Sequence, residues 1–315
     1  IISIRASMIL SVSRRTDIPA FYSEWFLNRI KAGFIDVRNP MNIHQISRIN
    51  IKPEVVDCIV FWTKNAIPLT SHLDELDAFK YYFQYTINSY DTSIEEFVPK
   101  KIKVIENFCN ISNKIGSNRT IWRYDPIFIT NKINVAYHIH YFEELAKRLS
   151  GYTNTCVISF VDVYKKNQHS MADAHIGKLS EYGEKQIAKE FSEIASKYGI
   201  KLQSCSEKID LSEVGIEHGA CIDKTLIESI VGYKLDVKKD KTQRTECQCV
   251  QSIDIGQYNT CPHICKYCYA NYNKERVFSQ NELHDKNSSL LIGNLQDNDV
   301  IKERKVKLLR NNTFL

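Results

Sequence analysis

VVDCIVFWT, residues 55–63, is apolar at almost every position. Strands that do not alternate between apolar and polar residues are typical of parallel sheets that are buried on both faces. Similar strand-like runs recur at 8–13, 81–87, 119–125, 155–163 and 199–205. Amphipathic helical segments separate them, so we predict an α/β fold of about six parallel strands with right-handed crossovers over residues 8–232.

Polar side chains gather at the carboxyl ends of the predicted strands, which favours a (β/α) barrel or partial barrel. In a barrel all of these ends share one rim, where active sites form. The predicted catalytic residues are Arg14, Arg15, Asp17, Lys64, Arg123, Asp125 and Glu207. Simpler explanations stand beside this one. The first three could form a network that caps the next helix, Asp125 could start a turn, and Glu207 could cap a loop or tune a metal cluster.

The composition is that of a globular protein and does not identify a partner. Of the 315 residues, 43% are hydrophobic and 25% are charged, so a packed core is expected. The formal net charge of +5 permits a nucleic-acid partner without arguing for one. No run approaches the roughly 18 apolar residues of a membrane span, and the first residues do not resemble a signal peptide. We expect no membrane contact and a cytoplasmic location.

Three of the ten cysteines stand close together in CPHICKYCYAN (261–271), with the spacing C-x3-C-x2-C. Disulfides are rare in a reducing cytoplasm, which leaves metal ligation, catalysis or burial. Cys261, Cys265 and Cys268 could ligate three irons of a 4Fe–4S cluster and leave one iron open to a small molecule. Structural zinc, with His263 as the fourth ligand, is the alternative, but the spacing favours iron and sulfur.

Four more cysteines precede this loop in the last third of the chain: Cys205, Cys221, Cys247 and Cys249. Four thiolates are a complete ligand set for a second 4Fe–4S cluster or for structural zinc, and we favour the second cluster. Cys58, Cys109 and Cys156 are interpreted as buried small hydrophobes. We expect residues 233–276 to form a cysteine-rich, cluster-binding segment on the barrel rim, and residues 277–315 to be a polar tail.

Longer motifs resemble one uncharacterised family, the domain of unknown function 1848. They are SRRTDIPAFYSEWF (13–26), FWTKN (61–65) and DIGQYNTCPHICKYCYAN (254–271). The cysteine loop is also similar to that of radical S-adenosylmethionine (SAM) enzymes, above all the spore photoproduct lyase branch.

The resemblance to radical SAM enzymes implies a 4Fe–4S cluster on Cys261, Cys265 and Cys268, with SAM bound to its open iron. It implies an electron donor such as flavodoxin or ferredoxin, and a 5′-deoxyadenosyl radical that takes hydrogen from an unknown substrate. Tyr267 would flank the cluster, and Tyr269 and Asn271 would lie near the adenine of SAM.

The sequence departs from the radical SAM pattern in two ways. The cysteine loop comes after the last predicted strand, whereas it normally follows the first. FWTKN (61–65) also stands where a glycine-rich acidic stretch would hold the amino group of SAM. The alternative function is a non-catalytic iron–sulfur or zinc protein that senses redox state or binds nucleic acid.

Overall fold

Strands and helices alternate along most of the chain. The computed structural model describes residues 7–305 and 309–314. Its strands are β1 (Met8–Val12), β2 (Phe34–Asn39), β3 (Asn42–Asn50), β4 (Val56–Thr63), β5 (Tyr81–Thr86), β6 (Thr120–Ile127), β7 (Thr155–Phe160), β8 (Lys201–Ser204), β9 (Glu217–His218), β10 (Tyr233–Leu235), β11 (Ile253–Asp254), β12 (Val300–Glu303) and β13 (Arg310–Phe314).

The helices lie mainly between the strands of the first two thirds of the chain. The α-helices are α1 (Ile18–Phe21), α2 (Ser23–Ala32), α3 (Ile67–Thr70), α4 (Lys101–Ile115), α5 (Val135–Leu149), α6 (Gln168–Asp173), α7 (Glu181–Lys197), α8 (Lys224–Val231) and α9 (Lys274–Glu282). Short 3-10 helices lie at Leu73–Leu76, Ser117–Arg119 and Ser212–Val214. None of these helices combines the length and the apolar character needed to cross a membrane.

Eight strands form one parallel sheet in the order β11–β1–β4–β5–β6–β7–β8–β9, so the predicted α/β fold is confirmed. The predicted number of about six strands is too low. β9 and β11 have only two residues each and leave no periodic pattern in the sequence. They are the two edges of the sheet and do not pair with each other within the described residues. The sheet is therefore open, and the closed-barrel alternative is wrong.

Two smaller sheets each contain one strand from the C-terminal region. β12 pairs in parallel with β3, which also forms an antiparallel hairpin with β2. β13 pairs antiparallel with β10. Both β12 and β13 come from the segment predicted as a polar tail, of which residues 306–308 and 315 lie outside the described part of the chain.

The two faces of the large sheet bury different side chains, because successive side chains of a strand point to opposite faces. Leu10 belongs to the larger buried cluster, together with side chains of α2, α4, α5 and α7. Its neighbour Ile9 belongs to a smaller cluster with Val60 and with Ile227 of α8. Residues 221–250 supply much of this smaller cluster. The same segment carries three of the cysteines into the interior.

Replacing Ile227 with alanine should destabilise the protein, because this side chain is fully buried in the smaller cluster. A truncation of this kind costs about 2–5 kcal/mol of the free energy of unfolding. Urea denaturation followed by circular dichroism measures the loss. Thr225→Ala, at an exposed position of the same helix, is the control and should change stability by less than about 0.5 kcal/mol. Equal stability of the two variants would contradict a packing role for α8.

Candidate functional site

The cysteine loop begins shortly after β11, at the carboxyl end of the parallel sheet. β11 pairs in parallel with β1, and Asp254 lies opposite Ser11 in this register. Because β1 is the neighbour of β11, the loop lies beside the end of β1 although the two segments are far apart in sequence. The short pairing of β11 with β1 therefore explains why the loop lies at the strand ends, as predicted.

Asp254 holds the end of β1 against the start of the cysteine loop. It accepts hydrogen bonds from Ser11 Oγ at 2.9 Å, from Ser13 Oγ at 2.6 Å and from the amide of Arg14 at 2.9 Å. Gly256 permits this close approach, because a Cβ atom there would lie 2.0 Å from Ser13 Oγ. The two segments are therefore fixed together by a carboxylate and by the absence of one side chain.

Asp17 joins β1, α1 and β4. Its carboxylate accepts the amide of Ala20 at 3.0 Å and so caps α1. It also accepts Thr63 Oγ1 at 2.8 Å and the amide of Lys64 at 2.7 Å. Arg14 does not pair with it, so the helix cap rests on Asp17 alone rather than on an arginine–aspartate network.

His263, in the middle of the cysteine loop, is almost fully buried and is held at both ring nitrogens. Its Nε2 lies 2.9 Å from Asp17 Oδ2, and its Nδ1 lies 3.4 Å from the carbonyl oxygen of Phe97. Both nitrogens are thus engaged with oxygen atoms. In this arrangement His263 is not free to act as the fourth ligand of a zinc ion.

Glu95 is a buried carboxylate that links the end of β4 to the cysteine loop. Its Oε1 lies 2.9 Å from Lys64 Nζ and 2.5 Å from Tyr267 Oη, and Lys101 donates to its other oxygen. Burial alone would raise the pKa of Glu95, but the two ammonium groups hold that pKa well below its usual range. The carboxylate therefore stays charged and fixes the ring of Tyr267.

Backbone hydrogen bonds add to this connection. Residues 94–97 run beside the loop, with the amide of Phe97 donating to the carbonyl of His263 at 3.1 Å. In return, the amide of Lys266 donates to the carbonyl of Ile94 at 3.0 Å. The cysteine loop is therefore held by main-chain pairing as well as by buried charges, and its cysteines keep a fixed position on the rim.

All seven clustered cysteines line one cavity of about 310 Å³ at the carboxyl ends of the strands. The lining also includes Tyr267, Tyr269 and six of the seven predicted catalytic residues: Arg14, Arg15, Asp17, Lys64, Arg123 and Asp125. Glu207 and Asn271 are not among the lining residues. The structure thus brings together most of the side chains that the sequence marks as candidates.

The two predicted residues outside the lining have structural partners. Glu207 accepts the amide of Phe160 at 2.9 Å, and burial raises its pKa to about 8. Asn271 donates to the carbonyl of Cys261 at 2.5 Å, while its Oδ1 is buried without a partner among the described residues. Both side chains therefore support the walls of the cavity rather than face it.

Two arginines flank the ring of Trp62 inside the cavity. The guanidinium carbons of Arg14 and Arg123 lie 5.3 and 5.5 Å from its centroid, within cation–π range. Arg123 pairs with Asp125, and its Nη1 lies 2.6 Å from Cys221 Sγ. Burial lowers the pKa of Arg123, but Cys221 and Asp125 outweigh it and raise that pKa.

The thiols differ in their surroundings. Cys205 Sγ and Cys221 Sγ lie 3.2 Å apart. A side-chain hydrogen bond with Cys249 lowers the pKa of Cys247 to about 6, whereas burial raises the pKa of Cys265 to about 12. Metal ligation deprotonates a coordinating thiol outright, so a bound metal would override both values.

The cavity brings many thiols together but does not present a preformed site for a single metal ion among the described residues. All ten cysteines are free thiols, and seven face one space. Among the described residues, no three or more histidine, cysteine, aspartate or glutamate side chains converge as a ready-made site for one metal ion. A 4Fe–4S cluster takes one thiolate per iron, so its cysteines surround a cube instead of meeting at a point.

Three residues of the site escape the sequence analysis: Asp254, Glu95 and Trp62. Asp254 could be noticed because it stands in the motif that leads into the cysteine loop. Trp62 stands in FWTKN, two positions before Lys64, which is predicted to be catalytic. Glu95 lies in a loop without periodicity, and its partners come from distant segments, so no local pattern reveals it.

The fold and the cavity define an open parallel α/β protein with a thiol-lined pocket at its strand ends. The chain belongs to the family described as Domain of unknown function (DUF1848), whose model matches residues 9–270. The family predicted from the motifs is thereby confirmed.

Other known proteins add little. No curated protein matches the chain. Among solved structures, a Bacteroides thetaiotaomicron protein assigned as an alpha-L-fucosidase is 13% identical. The match covers 51% of this chain and 68% of that chain, with a TM-score of 0.21. A likeness at this level carries no argument about fold or activity.

Replacing Glu95 with glutamine should destabilise the protein at neutral pH, because Lys64 would stay buried without its carboxylate. Breaking a buried ion pair from one side costs about 3–5 kcal/mol. Urea denaturation at pH 7 measures the loss. Glu96→Gln is the matched control, because the ion pair of Glu96 with Lys274 is partly exposed and should contribute about 0–1 kcal/mol.

The difference between wild type and Glu95→Gln should also depend on pH. The folded-state pKa of Glu95 lies below its unfolded value of 4.5. The carboxylate therefore stabilises the protein fully above that value, and the gain is lost as the pH falls toward the folded pKa. Unfolding midpoints between pH 7 and pH 3 should converge in acid. A gap that stays constant would contradict the charged state assigned to Glu95.

Proposed function

We propose that this protein is an iron–sulfur enzyme of the radical SAM type, with Cys261, Cys265 and Cys268 as the ligands of a 4Fe–4S cluster. The observation that carries the proposal is the position of the cysteine loop in the sheet. The loop follows β11, the edge strand next to β1. If the strands are numbered by their place in the sheet, starting from this edge, β11 is the first strand and the loop follows it. In the radical SAM enzymes that the loop resembles, the cysteine loop also follows the first strand.

The ligand set around the loop supports a cluster with one open iron. The loop offers three thiolates, and His263 is engaged by Asp17 and by the carbonyl of Phe97. A closed zinc site needs a fourth ligand, whereas a cluster that binds a small molecule needs an iron without one. The cavity beside the loop offers space at that position.

Cys261, Cys265 and Cys268 would hold the cluster, which would supply the one-electron chemistry for reductive cleavage of SAM, with a reduced flavodoxin or ferredoxin as the electron donor. The residues of the chain would do the rest. Lys64, Glu95 and Tyr267 hold the loop, and Asp17 fixes its centre. Arg14 and Arg15 line the cavity and would bind a carboxylate there, because guanidinium groups bind carboxylates in pairs of hydrogen bonds.

The proposal is tested by SAM cleavage under anaerobic conditions. The protein is purified without oxygen, its iron and sulfide are measured, and it is reduced with dithionite in the presence of SAM. We expect release of 5′-deoxyadenosine, because three thiolates and an open iron are what reductive cleavage requires. Liquid chromatography with mass spectrometry measures the product.

Cys265→Ala should abolish 5′-deoxyadenosine release, and Cys109→Ser is the matched control that should retain it. Cys109 lies on α4 and does not line the cavity. A reduced, iron-containing protein that leaves SAM intact would overturn the radical SAM proposal and favour a redox sensor. Zinc on the cysteine loop would favour the zinc-protein alternative.

A further inference from the structure

The four cysteines outside the loop meet although they come from distant segments. Cys205 follows β8, Cys221 precedes α8, and Cys247 and Cys249 precede β11. Cys205 Sγ lies 3.2 Å from Cys221 Sγ, and all four cysteines line the same cavity. Four thiols from distant segments thus face one space, and two of their sulfur atoms are in contact.

Two arginines of the cavity lining, the buried Arg123 and the half-buried Arg14, border this set of thiols. Arg123 Nη1 lies 2.6 Å from Cys221 Sγ, and Arg14 lines the same cavity as the four cysteines. Arg14 Nη2 is buried and has no hydrogen-bond partner within the described residues. A buried guanidinium needs a compensating charge, and four neutral thiols cannot supply one.

A metal held by four thiolates would supply that charge. Zn²⁺ with four thiolates, or an oxidised 4Fe–4S cluster with four thiolates, carries a net charge of about 2−. Arg123 pairs with Asp125, and Asp254 is a charged neighbour of Arg14, but Arg14 Nη2 has no hydrogen-bond partner in the part of the chain that the structure describes. A metal bound by the four cysteines would therefore account both for the unpartnered Arg14 Nη2 and for the gathering of four thiols in one cavity.

We infer that Cys205, Cys221, Cys247 and Cys249 form a second, four-thiolate metal centre, bordered by Arg14 and Arg123. The inference does not depend on SAM chemistry. The sulfur atoms would have to spread on binding, because thiolates around tetrahedral zinc lie ~3.8 Å apart and those around a four-iron cluster lie farther apart. Since the protein supplies every ligand, the centre has no open position for substrate. Its role is structural if it holds zinc, or electron transfer if it holds iron.

The test replaces the three cysteines of the loop, so that the loop cannot bind metal, and measures the metal that remains bound to the protein. The variant Cys261→Ala/Cys265→Ala/Cys268→Ala is purified without oxygen, and its iron, sulfide and zinc are measured. We expect about four irons with matching sulfide or about one zinc ion per folded chain. Either result supports the second centre and identifies its metal. A folded variant without bound metal overturns it, as does a Cys205–Cys221 disulfide found by peptide mass mapping.

Further variants in the same background assign the ligands. Adding Cys205→Ser should remove the remaining metal, whereas adding Cys109→Ser should leave it in place. Because Cys205→Ser could also prevent folding, Arg14→Met provides a second measurement. It should shorten the half-time of metal loss to a chelator, since the cation beside the centre is gone. An unchanged half-time would overturn the assigned role of Arg14.

Failure of this test is separate from failure of the proposed function. Metal in the triple-alanine variant bears only on the second set of cysteines, and 5′-deoxyadenosine release by the unsubstituted protein bears only on the loop. If the unsubstituted protein cleaves SAM and the triple-alanine variant holds no metal, the radical SAM function stands with one metal centre. A protein that keeps the second metal and leaves SAM intact would retain the second centre alone.

Discussion

The pairing of β11 with β1 determines where the candidate chemistry lies. Only two residue pairs define this contact, Leu10 with Ile253 and Ser11 with Asp254. Two ladder positions are too few to be stable alone, so side chains must reinforce them. Asp254 does this by accepting hydrogen bonds from two serine hydroxyls and one amide at the end of β1. This carboxylate therefore fixes the segment that leads into the cysteine loop against the end of β1.

Buried charges then hold the loop in its orientation. Asp17 fixes His263, and Glu95 fixes Tyr267 while it balances Lys64. These contacts come from segments that lie far apart in the chain. A buried carboxylate that loses its partners pays a large desolvation cost, so movement of the loop would be opposed at both points. The rim is thereby preorganised before any cofactor binds, which is what a site with demanding chemistry needs.

Much of the architecture follows from local patterns. The strand from 55–63 is correctly predicted by its apolar run, and the carboxyl ends of parallel strands meet at one edge whatever their order, so the polar clusters come together. Features of the fold and the site that depend on single long-range contacts could not be predicted from the sequence. β9 and β11 are too short for a period to show, and the importance of Glu95 lies in partners that no local window contains.

The late position of the cysteine loop is a weak objection to radical SAM chemistry, because hydrogen bonding and not chain order decides where a strand lies in a sheet.

The second departure from the radical SAM pattern, FWTKN in place of a glycine-rich acidic stretch, is the stronger objection. Lys64 occupies the stretch where an acidic group would hold the amino group of SAM, and a lysine side chain cannot accept a hydrogen bond from that group. The carboxylates that line the cavity are Asp17, Asp125 and Asp162. The first two are bound to His263 and Arg123. Asp162 is more exposed and pairs with a partly exposed Arg244, so it could exchange that partner at the lowest cost. Recognition of an amino group in this cavity would therefore fall to Asp162 before either of the other two.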